Sequence, residues 1–167
     1  MKAIAKFFAL ALLLAALPAA AQTYDWSAVG SVGGIDTASN FFKAGVVGGT
    51  LQFASTQTVS FIARYPVTNT YGTSIGSIPG WTTLRAAYTD NSSLGSVTVT
   101  LFKLEKCSGT TTQLCSISSS DDPALQCTSC SFSSGDVDFA NNIYWIEVTL
   151  ARSSTAATEQ IHNIALN

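Results

Sequence analysis

Residues 138–152 constrain the fold of this chain more than any other stretch. They open on a turn, Ala140-Asn141-Asn142, and then alternate between apolar and polar side chains. The apolar positions are Tyr144, Ile146, Val148 and Leu150, and the opposite positions are Trp145, Glu147, Thr149 and Ala151. A period of two predicts a strand with one face on a core and the other toward water. We expect a central strand of a β-sandwich, with Glu147 and Arg152 as solvated outer residues.

Short segments of similar character recur along the chain, separated by Gly, Pro, Ser and Asn. No segment after the N-terminal apolar run keeps a helical period over ten residues. This spacing predicts an all-β, antiparallel β-sandwich of jelly-roll type with about eight strands, in a single domain at residues 22–167. Residues 44–53 hold three glycines and predict one strand that is bulged or has a close neighbour. The inward face of residues 97–106 changes partway, which predicts a bulge or burial on both sides. The other predicted strands are residues 24–32, 58–65, 81–88, 113–119 and 160–166.

The first 21 residues have the pattern of a secretory signal peptide. Lys2 and Lys6 precede an apolar run over residues 7–17, Pro18 breaks it, and three alanines satisfy the small-residue cleavage rule before Gln22. An uncleaved N-terminal anchor is the alternative, although the run is short for a bilayer. We therefore expect a protein that is secreted, at the cell surface or in the periplasm, with no membrane span after the signal.

The charge of the chain limits its partners. Its formal net charge is −2, and it becomes more acidic once Lys2 and Lys6 leave with the signal. Nucleic acids and anionic membranes need basic patches, so neither is an expected partner. Low charge leaves little repulsion between copies, which permits self-association.

All four cysteines fall within one short segment: Cys107, Cys115, Cys127 and Cys130. In an exported protein an even number predicts disulfides, here two that staple the sandwich. The preferred pairing is Cys107–Cys115 with Cys127–Cys130, and the runner-up is Cys107–Cys130 with Cys115–Cys127. A thioredoxin-like redox pair at Cys127-x-x-Cys130 lacks the required helix. A four-cysteine zinc site lacks a second close pair.

Aromatic residues are the most suggestive candidates for ligand binding. Trp26, Tyr71, Trp81 and Trp145 are candidates for stacking on sugar rings. The alternative for each is packing inside the sandwich.

Four aspartates in predicted turns could hold calcium through carboxylate and carbonyl oxygens: Asp121, Asp122, Asp136 and Asp138. The alternative is that each caps its own turn. No other cofactor is predicted.

No catalytic residues are predicted. His162 is the single histidine, and we expect it to pack on the inward face of the last strand. Most acids lie in predicted turns, whereas Glu105 and Glu147 lie on outward faces of predicted strands. This arrangement does not make the flanking pair of a glycosidase.

Three functions remain. The first is a non-catalytic extracellular or surface protein that associates with copies of itself, with the glycine-rich residues 24–49 lending a strand to a neighbour. The second is a carbohydrate-binding module with a glycan as partner. The third is a small secreted hydrolase.

Overall fold

The computed structural model describes residues 25–69 and 79–167. The predicted signal peptide and Tyr71 lie outside these ranges. The predicted β-sandwich is confirmed, and its two antiparallel sheets contain eleven strands in the described residues rather than about eight. The strands are β1 (Trp26–Val29), β2 (Gly34–Ile35), β3 (Ala44–Val47), β4 (Thr50–Phe53), β5 (Val59–Val67), β6 (Thr83–Asp90), β7 (Gly95–Glu105), β8 (Thr111–Ser118), β9 (Asp122–Ser131), β10 (Asn142–Arg152) and β11 (Glu159–Leu166).

Three short 3-10 helices connect some of these strands, at Gly30–Val32, Ala38–Lys43 and Ser134–Asp136. None of the helices in residues 25–69 and 79–167 is long and apolar enough to cross a membrane.

The two sheets are called sheet A and sheet B. Sheet A has the order β3-β4-β11-β6-β9, and β1 pairs with β11 beside β4. Along the same side of β11, β4 pairs with Gln160 and Ile161, whereas β1 pairs from Asn163 to Leu166. Sheet B has the order β2-β5-β10-β7-β8.

Strand β10 is the centre of sheet B, as its sequence pattern predicts. Tyr144, Ile146, Val148 and Leu150 are at most 1% exposed and form a ridge of the core between the sheets. The expectation for Arg152 was wrong. Its side chain is buried, and the guanidinium donates to the carbonyl oxygens of Gln57, Ala157 and Ala54.

Residues 44–53 form a hairpin rather than one bulged strand. Gly48 and Gly49 have φ values of +59° and +87°, which only glycine adopts readily and which suit a two-residue hairpin turn. The predicted bulge in residues 97–106 was wrong, because β7 pairs with β10 in an unbroken register and the extra residue at the shift between β7 and β8 is Leu114 on β8.

The predicted disulfide pairings were both wrong. Cys115 on β8 bonds to Cys130 on β9, and Cys107 and Cys127 are free and exposed. Residues three apart in a strand lie about 10 Å apart, beyond the reach of a disulfide, which excludes Cys127–Cys130. Cys107 lies in the turn after β7, whereas Cys115 faces the core opposite Leu101. The observed bond joins an edge strand of sheet A to an edge strand of sheet B.

Candidate functional site

Two of the four candidate stacking residues are part of the core. Trp81 is fully buried, with its ring edge-on to Phe139 at 6.1 Å between centroids. Trp26 is 7% exposed and lies opposite Leu166 at the end of β11. Both rings are buried in the hydrophobic core, so neither is available to a ligand. Tyr71 lies outside the described residues.

Trp145 is half-buried on the outer face of sheet B. Its neighbours Tyr144 and Ile146 point into the core, so its own ring points away from it. The ring stacks on Phe102 of β7, with centroids 5.3 Å apart and an interplanar angle of 18°. On the other side, Pro66 of β5 lies directly opposite Trp145 in the register. These three rings form a row across three adjacent strands, which we call the ring row.

A row of polar groups runs beside the ring row on the same face. Glu147 lies directly opposite Arg64 of β5 and Thr100 of β7. Arg64 Nε donates to Glu147 Oε2 at 3.1 Å, and Arg64 Nη1 pairs with Asp36. Thr100 Oγ1 lies 2.8 Å from Ser116 Oγ on β8. The outer face of sheet B therefore combines a strip of stacked apolar rings with fixed hydrogen-bonding groups.

The indole nitrogen of Trp145, unlike the polar atoms of Arg64, Glu147 and Thr100, makes no hydrogen bond within the described residues. Nε1 is buried and makes no hydrogen bond to any residue in the described part of the chain. The ring is therefore oriented by its stacking on Phe102 rather than by a hydrogen bond.

The four candidate calcium ligands do not converge. Asp122 accepts from the Ala124 amide, Asp136 from the Ser133 amide and Asp138 from the Ala140 amide, so each stabilises its own turn. The side chain of Asn141 and the amide of Ala140 lower the pKa of Asp138. Asp121 is exposed just before β9. Within residues 25–69 and 79–167, no three His, Cys, Asp or Glu side chains are grouped as a metal site. Calcium binding stays a prediction.

His162 does not share a face with Ile164 and Leu166, contrary to expectation. The register between β11 and β6 shifts between Ile161 and Asn163, and this bulge turns His162 out of the core. Its Nε2 lies 3.1 Å from Thr89 Oγ1 and its Nδ1 3.4 Å from Thr50 Oγ1. The ring is half-buried on the outer face of sheet A, beside hydroxyl groups that hold its orientation.

A buried polar cluster at one end of the sandwich was missed by the sequence analysis. Glu159 and Asp90 lie directly opposite each other on β11 and β6, and each is 1% exposed. Gly95 on β7 leaves room for this carboxyl group, since a Cβ there would lie 1.7 Å from Glu159 Oε1. Neither carboxyl oxygen of Glu159 has a hydrogen-bond partner among the described residues. Burial raises the pKa of Glu159 to about 7, and the nearby Asp90 adds to this, while Arg152 opposes it.

The raised pKa of Glu159 predicts a stability that depends on pH. The folded protein holds a proton that the unfolded chain releases at its ordinary pKa of 4.5, so the free energy of unfolding falls as pH rises from there to about 7. We expect this fall to be about 2 kcal/mol and to be largely removed by Glu159→Gln. Urea unfolding of both proteins between these pH values measures it. Parallel pH profiles for the two proteins would contradict the assignment.

Comparison with known proteins gives likenesses of architecture only. No protein family matches the sequence, and no curated protein matches it either. Among solved structures, the chain is similar to the C-terminal CBM6 of the laminarinase LamC from Zobellia galactanivorans, at 9% identity and a TM-score of 0.49, over 86% of this chain and 99% of that one. It is also similar to the family 11 carbohydrate-binding module of Clostridium thermocellum in complex with a β-1,3-1,4-mixed-linked tetrasaccharide, at 15% identity and a TM-score of 0.46, over 85% and 87% of the two chains.

A third similarity is to a family two carbohydrate esterase from Cellvibrio japonicus, at 11% identity and a TM-score of 0.45, where 86% of this chain covers 33% of the esterase. Identities and TM-scores this low do not assign a function to this chain.

Proposed function

We propose that this protein is an exported, non-catalytic glycan-binding domain whose ligand lies on the outer face of sheet B. One observation carries the proposal: the ring row of Pro66, Trp145 and Phe102 lies directly beside the Arg64–Glu147 pair. The disulfide between Cys115 and Cys130 supports export, because such bonds persist in oxidising compartments.

The chemistry of a sugar ring matches the two rows. A pyranose presents an apolar face of C–H groups and an edge of hydroxyl groups. Trp145 and Phe102 supply apolar ring surface at little cost in side-chain entropy. Arg64 and Glu147 supply a planar donor and a planar acceptor, each able to take a pair of hydroxyl groups. The side chain of Arg64 is 47% exposed and that of Glu147 21% exposed, so both can be reached while each fixes the other.

The shape of this face favours a chain of sugars over a single one. The ring row crosses three strands and so extends about 10 Å. Its polar neighbours continue along the same direction to Ser116, an exposed residue whose hydroxyl oxygen lies 2.8 Å from that of the buried Thr100. Glu147 is engaged with Arg64, and this arrangement suits binding rather than the paired free carboxyl groups of glycoside cleavage.

Trp145→Ala is expected to weaken glycan binding at least about tenfold, because it removes the stacking surface. Arg64→Ala should weaken binding by a smaller factor. Both are measured by calorimetric titration with soluble neutral polysaccharides and their oligosaccharides. Arg85→Ala is the matched control for Arg64, since Arg85 is exposed on the outer face of sheet A.

Unchanged affinity in Trp145→Ala, or an equal loss in Arg85→Ala, would reject this face as the site. Absence of binding to every polysaccharide by the wild-type protein would reject the proposed function itself.

A further inference from the structure

The two long sides of the sandwich are closed in different ways. On one side the Cys115–Cys130 bond joins β8 to β9. On the other side the edge strands are β2 and β3, and the 3-10 helix Ala38–Lys43 connects them. An apolar cleft of about 260 Å³ opens there. Its apolar lining residues are Ile35, Phe41, Ala44, Val46 and Leu51.

Large apolar side chains surround this cleft and face solvent. Phe41 is 70% exposed, Phe42 81%, Val46 57% and Val47 62%. Four such residues lie within seven positions, and two of them, Phe41 and Val46, line the cleft together. Grouped apolar exposure of this kind marks interaction surfaces. We call these four residues the edge patch.

Strand β3 lacks the features that normally protect a sheet edge. Its sequence is Ala-Gly-Val-Val, without lysine, proline or an inward charge. The opposite edge of sheet A, β9, begins with Asp122 and Pro123. Lys43 precedes β3, but its ammonium group donates to Asn40 and to the carbonyl oxygen of Ser60, and so does not guard the strand. Strand β3 therefore presents an unguarded backbone edge next to exposed apolar side chains.

We propose that β3 pairs with β3 of a second copy of this chain, so that the two clefts cover each other. Antiparallel pairing of identical strands about a two-fold axis makes the same patch serve both partners. The edge patch carries no charge that would select a differently charged partner.

The available area fits such a pair. Two phenylalanines and two valines at these exposures offer about 500 Å² per copy, and about 1,000 Å² for two copies is the lower range of a specific interface. The pairing leaves the outer face of sheet B free. Two glycan sites in one dimer would then bind a polysaccharide with greater avidity than one.

Pairing through the free edge of β3 is different from donation of a strand by residues 24–49 to a neighbouring copy. Strand β1 pairs with β11 of its own sheet, so the N-terminal part of that segment is already placed. Here β3 keeps its own partner β4 and uses its free edge.

The test is the association state of the purified protein in a Cys107→Ser/Cys127→Ser background, where no disulfide between copies can form. Sedimentation velocity over increasing protein concentration should show a reversible dimer. Val46→Lys and, separately, Phe42→Ser should each raise the dissociation constant at least tenfold. Leu125→Lys is the matched control, because Leu125 is 63% exposed on the opposite edge of sheet A and should leave dimerisation unchanged.

A monomer at all concentrations up to about 1 mM overturns the proposal, since it leaves a free energy of association weaker than about 4 kcal/mol. An equal effect of Leu125→Lys overturns it as well. Neither result bears on glycan binding by Trp145, which is measured with monovalent oligosaccharides.

Discussion

Arg152→Met is expected to lower the free energy of unfolding by about 3 to 5 kcal/mol. Removal of the guanidinium leaves the carbonyl oxygens of Gln57 and Ala157 without this donor, whereas that of Ala54 keeps the amide of Gln57. The ring of Phe53, which lies 4.5 Å from the guanidinium carbon, loses a cation–π contact. The nearest opposing charge for Glu159 is lost as well, so the pKa of that carboxyl group rises further. Urea unfolding at neutral pH measures the loss.

Arg64→Met is the matched control for this prediction. Arg64 pairs with carboxylates on an exposed face, where ion pairs contribute at most about 1 kcal/mol. Combining Arg152→Met with Glu159→Gln should recover part of the loss, because the buried Glu159 carboxyl group that loses its opposing charge is then absent as well. A loss below about 1 kcal/mol in Arg152→Met would contradict a role for Arg152 in holding this end of the sandwich.

Replacing Cys115 and Cys130 together by alanine is expected to lower the free energy of unfolding by about 3 kcal/mol. The bond closes a loop with a sequence separation of 15 and joins edge strands that are not hydrogen-bonded neighbours in either sheet. Its removal leaves β8 and β9 held only by β7 and β6, respectively, within their sheets. Denaturant unfolding of the oxidised protein and the double variant measures the difference.

The control is the pair Cys107→Ser and Cys127→Ser, which should change stability by less than about 0.5 kcal/mol because both thiols are free and exposed. Either pairing predicted from the sequence would instead make these two residues as important as the other two. Destabilisation of the control variant by several kcal/mol would therefore contradict the observed bond.

The fold was largely predictable from local alternation. In strand β10 every second residue is apolar and buried in the core. Because a shift of one residue would turn these side chains to the solvent face, the alternation fixes the register of the strand. Strand β9 escaped prediction because its inward positions, Gln126, Thr128 and Cys130, are polar or small and give no apolar alternation. The hairpin at residues 44–53 is not evident from the sequence because Gly48-Gly49 is compatible with both a bulge and a turn. Only the positive φ values at both glycines distinguish the turn from the bulge.

The candidate site was predictable only in part. The alternation of β10 placed Trp145 and Glu147 on the outer face, but their partners Phe102 and Arg64 lie on other strands. Cross-strand register decides such pairs, and a single sequence does not specify it. The burial of Trp81 and of Arg152 likewise depends on how the ends of the sheets close. The prediction of the disulfide partners was wrong because the bond joins the two sheets rather than the two arms of a hairpin.

The position of β11 has a consequence for how the chain folds. The last strand lies in the middle of sheet A, where β6, β4 and β1 all pair with it, and Trp26 lies opposite Leu166. Sheet A therefore lacks its centre until residues 159–166 have left the ribosome. Contacts between strands so distant in sequence make folding slow compared with hairpin formation. Strand β1 is made well before its partner and pairs only after β11 has emerged.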